Sequence, residues 1–189
     1  MKKRVFWDLE CGRTKKDDED WNKYKSTAGI SLACAMDQTD PLPFFYTPND
    51  KGSFDLLALV RLLESADEVV SFNGDRFDSV VLASACGLPR LHIRRSIDLL
   101  RVVLDAKGPV RYPEGSWSLG SICSRTISQS KLLDDGAFAP QKALQGRWGE
   151  LATYCASDVV LTRKLWQFIV EYGYIVDPDG RRLEVRLNG

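Results

Sequence analysis

Arg4-Val5-Phe6-Trp7-Asp8-Leu9-Glu10 is the stretch on which the reading of the whole chain turns. Val5 and Trp7 alternate with Phe6, Asp8 and Glu10, the period of two that a β-strand imposes. Side chains two apart on a strand share a face, so the Asp8 and Glu10 carboxylates point the same way. Two anions that close, at the end of an apolar strand, raise the cost of folding unless something positive sits between them. The pattern points to a divalent metal ion.

Two further segments supply acids. In Glu68-Val-Val-Ser-Phe-Asn-Gly-Asp-Arg-Phe-Asp78, residues Val69, Val70 and Phe72 read as a short buried strand and Asn73-Gly74 as a turn. Asp75 then reads as the N-cap of a helix running to about Cys86, with Gly87 as its stop. Asp78 falls in that helix's first turn, at the C-terminal edge of a sheet. The strongest helical pattern, about Trp148 to Tyr172, is free of internal Gly and Pro apart from Gly149. It carries Tyr154 and Asp158 four apart and therefore on one face. Singly, each residue has a plainer reading: Asp78 as a helix-dipole acid, Tyr154 as a core aromatic, Asp158 as a partner for Arg163 or Lys164.

Jointly, the three segments resemble the DEDD superfamily of 3′-to-5′ exonucleases, the family of the proofreading domains of DNA polymerases, in its tyrosine-containing branch. The blocks are Asp-x-Glu at Asp8 and Glu10, Asn-x-x-x-Phe-Asp at Asn73, Phe77 and Asp78, and Tyr-x-x-x-Asp at Tyr154 and Asp158, in family order over roughly residues 4 to 172. Ser118-Leu119, Lys131-Leu132 and Asp135-Gly136 are similar to stand-alone exonuclease domains related to family B DNA polymerases. The resemblance implies an α/β, ribonuclease H-like fold with a mixed five-stranded sheet flanked by helices. It implies a metal-dependent exonuclease that hydrolyses single-stranded 3′ ends, DNA being favoured over RNA, with replication or repair proteins as candidate partners. The alternatives are an inactive nucleic-acid-binding or docking module on the same fold, and a structure-selective endonuclease.

Hydrolysis of a phosphodiester with two divalent ions needs a cluster of hard oxygen ligands, which suits Mg²⁺ or Mn²⁺. By the resemblance, Asp8 bridges both ions, Glu10 and Asp158 hold the ion on the nucleophile side, and Asp78 binds the other, partly through water. Tyr154 orients the attacking water, since a phenol with a solution pKa near 10 is a poor base at neutral pH. The backbone around Leu9 and the side chain of Asn73 contact the terminal nucleotide. Phe77 stacks beside a base or packs beneath the site.

Composition agrees with this frame. A chain of 189 residues suits one sizeable core, so residues 1–189 read as a single exonuclease domain with a core over about 4–172 and a terminal hairpin over about 174–187, turning at Pro178-Asp179-Gly180. Its 26 basic and 26 acidic residues balance, which weighs mildly against long-duplex binding. Five cysteines (Cys11, Cys34, Cys86, Cys123 and Cys155), without metal-finger spacing, read as free thiols in a reducing cytoplasm. No signal peptide or membrane span is expected. The sole histidine, His92, excludes a His-rich zinc site and weighs against the histidine branch of the family. Its neighbours Arg90, Arg94 and Arg95 fit a basic lip or a solvated loop equally.

Strands are expected at about 28–36 and 43–47 and near Ser96-Ile97, and helices from Ser53 to about Ser65, from Asp98 to Ala106 with Asp98 as N-cap, and from Ser118. Cys11 to Thr27 reads as a long polar hairpin loop pinned by Trp21 and Tyr24. The Ser116–Gly120 segment, Lys131, and Lys142 to Trp148 rank low as groove residues.

Overall fold

The computed structural model describes residues 2–40, 42–48, 55–113, 115–131 and 139–187. Arg4–Cys11 is strand β1, and the pleat sends its side chains to two different cores. Val5, Trp7 and Leu9 enter one cluster; Phe6 enters the other. Strand β2 (Ile30–Asp37) pairs antiparallel with β1 in the register Asp8↔Cys34, and β3 (Phe44–Tyr46) extends the sheet beyond it. On the other side β4 (Glu68–Ser71) pairs parallel with β1, and β5 (Ser96–Asp98) pairs parallel with β4. The order β3-β2-β1-β4-β5 is a mixed five-stranded sheet with β1 at its centre.

Helices cover both faces. The Trp7 face packs against α1 (Trp21–Thr27), α2 (Leu56–Ser65) and α3 (Asp78–Ala85), through Tyr24, Leu59, Leu63, Val81 and Leu82. The Phe6 face packs against α4 (Leu99–Lys107), α5 (Leu119–Ile127) and α7 (Trp148–Tyr172), with α6 (Ala139–Leu144) beside α7. Complete burial of Phe6 and Trp7 stabilises each face by about 1.5–3 kcal/mol per side chain. A terminal hairpin, β6 (Tyr174–Val176) with β7 (Arg182–Glu184), closes on α5. This is an α/β fold of the ribonuclease H-like kind, as expected.

Two expectations need correction. Cys11 to Thr27 is not all loop: Asp20 accepts from the amides of Asn22 and Lys23 and starts α1. Asp75 does not cap α3, which begins at Asp78 after a turn spanning 74–77. Its carboxylate instead accepts from the Ser96 hydroxyl. Helix α6 had no counterpart in the sequence reading. Ser53, Leu132, Asp135 and Gly136 lie outside the described residues; α2 is described from its N-cap, Asp55.

The direction of the parallel strands places charge at opposite ends. At their N-terminal ends Glu68 is buried among Arg4, Lys2 and Arg95, while Arg94 pairs with Asp67 and the His92 amide donates to Glu64. The Arg90–Arg95 segment therefore serves the end of the sheet remote from Asp8 and Glu10. Pairing between β1 and β4 stops at Phe6↔Val70. From Trp7 onward β1 outruns β4, and a crevice opens at the carboxyl ends of the parallel strands, the usual ligand position in such sheets.

Candidate metal and nucleic-acid site

The crevice is built from three segments. On β1, Asp8 and Glu10 occupy the Phe6 face; Glu10 is buried and Asp8 partly so. The chain leaves β4 through Asn73, held at a φ of 66°, and Gly74. A Cβ on Gly74 would lie 2.3 Å from the Ser71 hydroxyl oxygen, so only glycine fits this turn. Asp98 fixes the same turn from β5. Its carboxylate accepts from the amides of Asn73 at 2.8 Å and Asp75 at 3.2 Å, while also capping α4 through Leu100 at 3.0 Å. The cap was legible in the sequence, but its grip on the turn was not. Asp78 is thereby set at the start of α3, facing β1 beyond the end of β4.

The third segment is α7. Leu151, Cys155, Val159, Thr162, Trp166 and Ile169 form its buried stripe, and Gly173, in the left-handed region at φ 74°, ends it. Tyr154 and Asp158 are each only 5% exposed. The ammonium of Lys131 lies 2.5 Å from Oδ2 of Asp158 and 5.5 Å from the centre of the Tyr154 ring. Neither Arg163 nor Lys164 pairs with Asp158: Arg163 donates to the Gln38 carbonyl and Lys164 to Gln129. Lys131, ranked low from sequence, thus belongs to the site.

Electrostatics tie the segments together. Burial, then the charges of Asp78, Asp158 and Glu10, push the Asp8 carboxyl well above its ordinary range. Glu10 is raised by burial and by Asp158. Burial brings Asp78 up to about 7, against the opposing pull of its own amide and that of Leu9. Burial raises Asp158 too, although Lys131 works against it, and burial likewise raises the Tyr154 phenol. Three carboxyls, Asp8, Glu10 and Asp78, each raised by burial and by acidic neighbours, stand with a buried Asp158 offset by one lysine, and a divalent cation would balance the charge of such a site. One oxygen of Asp158 is buried without a hydrogen-bond partner among the described residues, which fits the same requirement. A carboxylate set of this kind suits Mg²⁺ or Mn²⁺. The tightest grouping is Asp8, Glu10 and Cys155, whose ligand atoms lie within 4.8 Å of one another; Asp78 and Asp158 stand outside it.

Leu9, Asn73 and Phe77 adjoin the acids in different ways. The Leu9 side chain is buried on the opposite face, so only its backbone faces the site. Phe77 sits edge-on to Trp21, 6.3 Å between ring centres, and lies 6.1 Å from Tyr24. Trp21, Lys25, Asn73, Arg76 and Phe77 line a cavity of about 380 Å³. Trp21 is 58% exposed there. The signal that could have marked it was an aromatic residue following a capping acid in a polar stretch. Ser118 caps α5 and Trp117 packs on Tyr112. Lys142 pairs with Glu150 near the start of α7.

No protein-family model and no curated protein sequence matches the chain. Among solved structures, the fold is similar to part of the family B DNA polymerase from the hyperthermophilic archaeon Pyrobaculum calidifontis, with a TM-score of 0.66 and 15% identity. The match covers 90% of this chain and 25% of the polymerase, so the chain spans about a quarter of that protein's length. At that identity the likeness concerns the fold. Among the described residues, no helix is long and apolar enough to cross a membrane.

Proposed function

We propose that the chain is a metal-dependent 3′-to-5′ exonuclease acting on single-stranded DNA ends, of the tyrosine-containing DEDD type. The observation that carries this reading is the convergence of Asp8, Glu10, Asp78 and Asp158 from three segments into one buried cluster, in which the charge of Asp158 helps to raise the other three carboxyls. Asp8, Glu10 and Asp158 would hold one divalent ion, and Asp8 with Asp78 the other. Bound there, the ions supply a nucleophilic water and stabilise the departing 3′ oxygen.

The chain's own residues do the rest. Tyr154, its phenol kept protonated by burial, donates a hydrogen bond that orients the attacking water. Lys131 pulls Asp158 toward its ionised form against the raising effect of burial, and brings positive charge to where a phosphate enters. Asn73 and the Leu9 backbone grip the terminal nucleotide. The cavity between Phe77 and Trp21 takes an unpaired base, since stacking of this kind tolerates any sequence and favours frayed ends. The likeness to part of a DNA polymerase supports a nucleic-acid substrate, of which DNA is the form favoured here.

The test is digestion of a 5′-labelled single strand, as DNA and as RNA, with Mg²⁺ or Mn²⁺. Shortening by one nucleotide at a time, blocked by a bulky 3′ group, is the expected result. Binding without cleavage would leave a docking module, and cuts in a circular strand would make the chain an endonuclease.

A further inference from the structure

Beside the acid cluster the chain gathers charge of the opposite sign. The cavity of about 380 Å³ between α1 and the turn before α3 is lined by Trp21, Lys25, Asn73, Arg76 and Phe77, and no carboxylate lines it. Its volume falls among those of small-molecule sites. The half-buried Lys25 donates to the main-chain carbonyl of Arg76 at 3.1 Å, which ties α1 to the turn and sets both cations on one rim. The Arg76 side chain is exposed, and the Lys15 ammonium stands 5.2 Å from the centre of the Trp21 ring. Among the described residues, none of these three cations forms an ion pair with a carboxylate. Arg4, Arg13, Arg94, Arg95 and Arg147 all do. A largely exposed tryptophan and cations left without acidic partners thus coincide at one cavity.

We propose that Trp21, Lys25 and Arg76 form a strand-holding subsite, separate from the metal ligands, that takes one nucleotide unit of a single strand, its base against Trp21 and its phosphate on Lys25 and Arg76. An aromatic face accepts a base of any sequence, and a guanidinium with an ammonium accepts the phosphate through charge-assisted hydrogen bonds. None of the three residues is a carboxylate of the metal cluster, so the subsite holds the strand with no metal bound. Asn73 and Phe77 line the cavity and flank the turn that sets Asp78, so the held unit lies close to the linkage being cleaved. The acid cluster repels phosphate until its charge is balanced, and the rim supplies the attraction that the cluster lacks. Grip and cleavage therefore belong to different residues. This inference rests on the nucleic-acid reading above, which it deepens, but not on any hydrolysis taking place.

The test is fluorescence anisotropy of a labelled oligothymidylate of about 12 nucleotides, within the usual site size of single-strand binders, titrated in EDTA over a range of salt. The wild type should bind, with an affinity that falls as salt rises. Arg76→Gln and Lys25→Gln should each make the slope of log affinity against log salt shallower by about 0.7, the share of one phosphate contact on a single strand. Arg76→Lys and Lys25→Arg should keep the slope. An abasic strand of the same length should bind wild type and Trp21→Ala alike, and an uncharged methylphosphonate strand should lose the salt dependence. Melting temperatures confirm folding, and the exposed Arg76 decides the matter if Lys25→Gln fails to fold. A wild-type slope in folded Arg76→Gln, or no binding by the wild type in EDTA, would overturn the proposal. Binding of the expected kind by a protein that cuts nothing in Mn²⁺ would uphold the subsite and reject the nuclease reading. Cleavage together with an unchanged Arg76→Gln slope would do the reverse.

Discussion

The ammonium of Lys131 stands 2.5 Å from Oδ2 of Asp158 while the other oxygen of that carboxylate is buried without a hydrogen-bond partner among the described residues. One lysine thus meets half of what Asp158 needs. Lys131→Met should leave both oxygens unpaired and lower the stability of the metal-free protein by about 1–3 kcal/mol. Added Mn²⁺ should return much of that loss. Thermal melting with and without the ion checks both parts, and an unchanged melting temperature would show that the pair contributes nothing.

The acid cluster also fixes a pH dependence. Asp8 and Glu10 are raised well above their ordinary values, and Asp78 lies near 7. The folded chain therefore keeps protons that the unfolded chain has released from about pH 4 upward. Stability from these groups is fully present below the unfolded pKa and is lost as pH rises through the folded values. Each pH unit over which the folded state holds one more proton than the unfolded state changes stability by about 1.4 kcal/mol. Glu19 and Glu150, held near 2 by Arg13 and Arg147, act only at lower pH. In a chelator the protein should melt higher at pH 5 than at pH 8, and saturating Mg²⁺ should flatten the slope. A melting temperature that rises from pH 5 to 8 without metal would mean that the carboxyls ionise unaided.

Trp21 offers a separate test of the substrate path. Its ring is largely exposed yet stands beside Phe77 at the cavity, so Trp21→Ala should barely move the melting temperature. Loss of one stacked base, worth about 1–3 kcal/mol, should weaken single-strand binding by roughly 5- to 100-fold. Measured in Ca²⁺ to prevent cleavage, equal binding by the two proteins would remove Trp21 from the path.

Much of this site was legible in the sequence because its main pieces obey a period. Alternation in β1 put Asp8 and Glu10 on one face, and the uninterrupted 3.6-residue pattern of α7 gave both of its ends along with Tyr154 and Asp158. The rest depends on contacts distant in sequence. Asp75 looks like a cap, but Asp98, from another strand, captures the Asn73 and Asp75 amides and delays α3 to Asp78. Helix α1 is seven residues long, too short to be stable alone, and holds because Tyr24 packs against Phe77 beside α3. Lys131 has no periodic neighbours at all, and its place emerges only where its segment meets α7.

Tyr154 distinguishes chemistry from packing. Tyr154→Phe removes one oxygen and keeps the ring in place. Turnover under single-turnover conditions should fall roughly 10- to 1,000-fold, about 1.4 to 4 kcal/mol of transition-state stabilisation, with substrate binding nearly constant. Unchanged turnover in a normally melting variant would reduce Tyr154 to a packing residue.

The central claim is that the carboxyl cluster is a metal-dependent hydrolytic centre, and Asp8→Ala tests it most directly. Asp8 faces Asp78, Asp158 and Glu10, so its removal relieves repulsion and should keep or raise the melting temperature of the metal-free protein. The measurement is the rate at which a 5′-labelled single strand shortens with Mn²⁺, for wild type and variant side by side. The account predicts stepwise shortening by the wild type, abolished by EDTA and restored by excess Mn²⁺, and almost none by the folded variant. Cleavage by Asp8→Ala within about threefold of wild type, or wild-type cleavage that persists in EDTA, would contradict it.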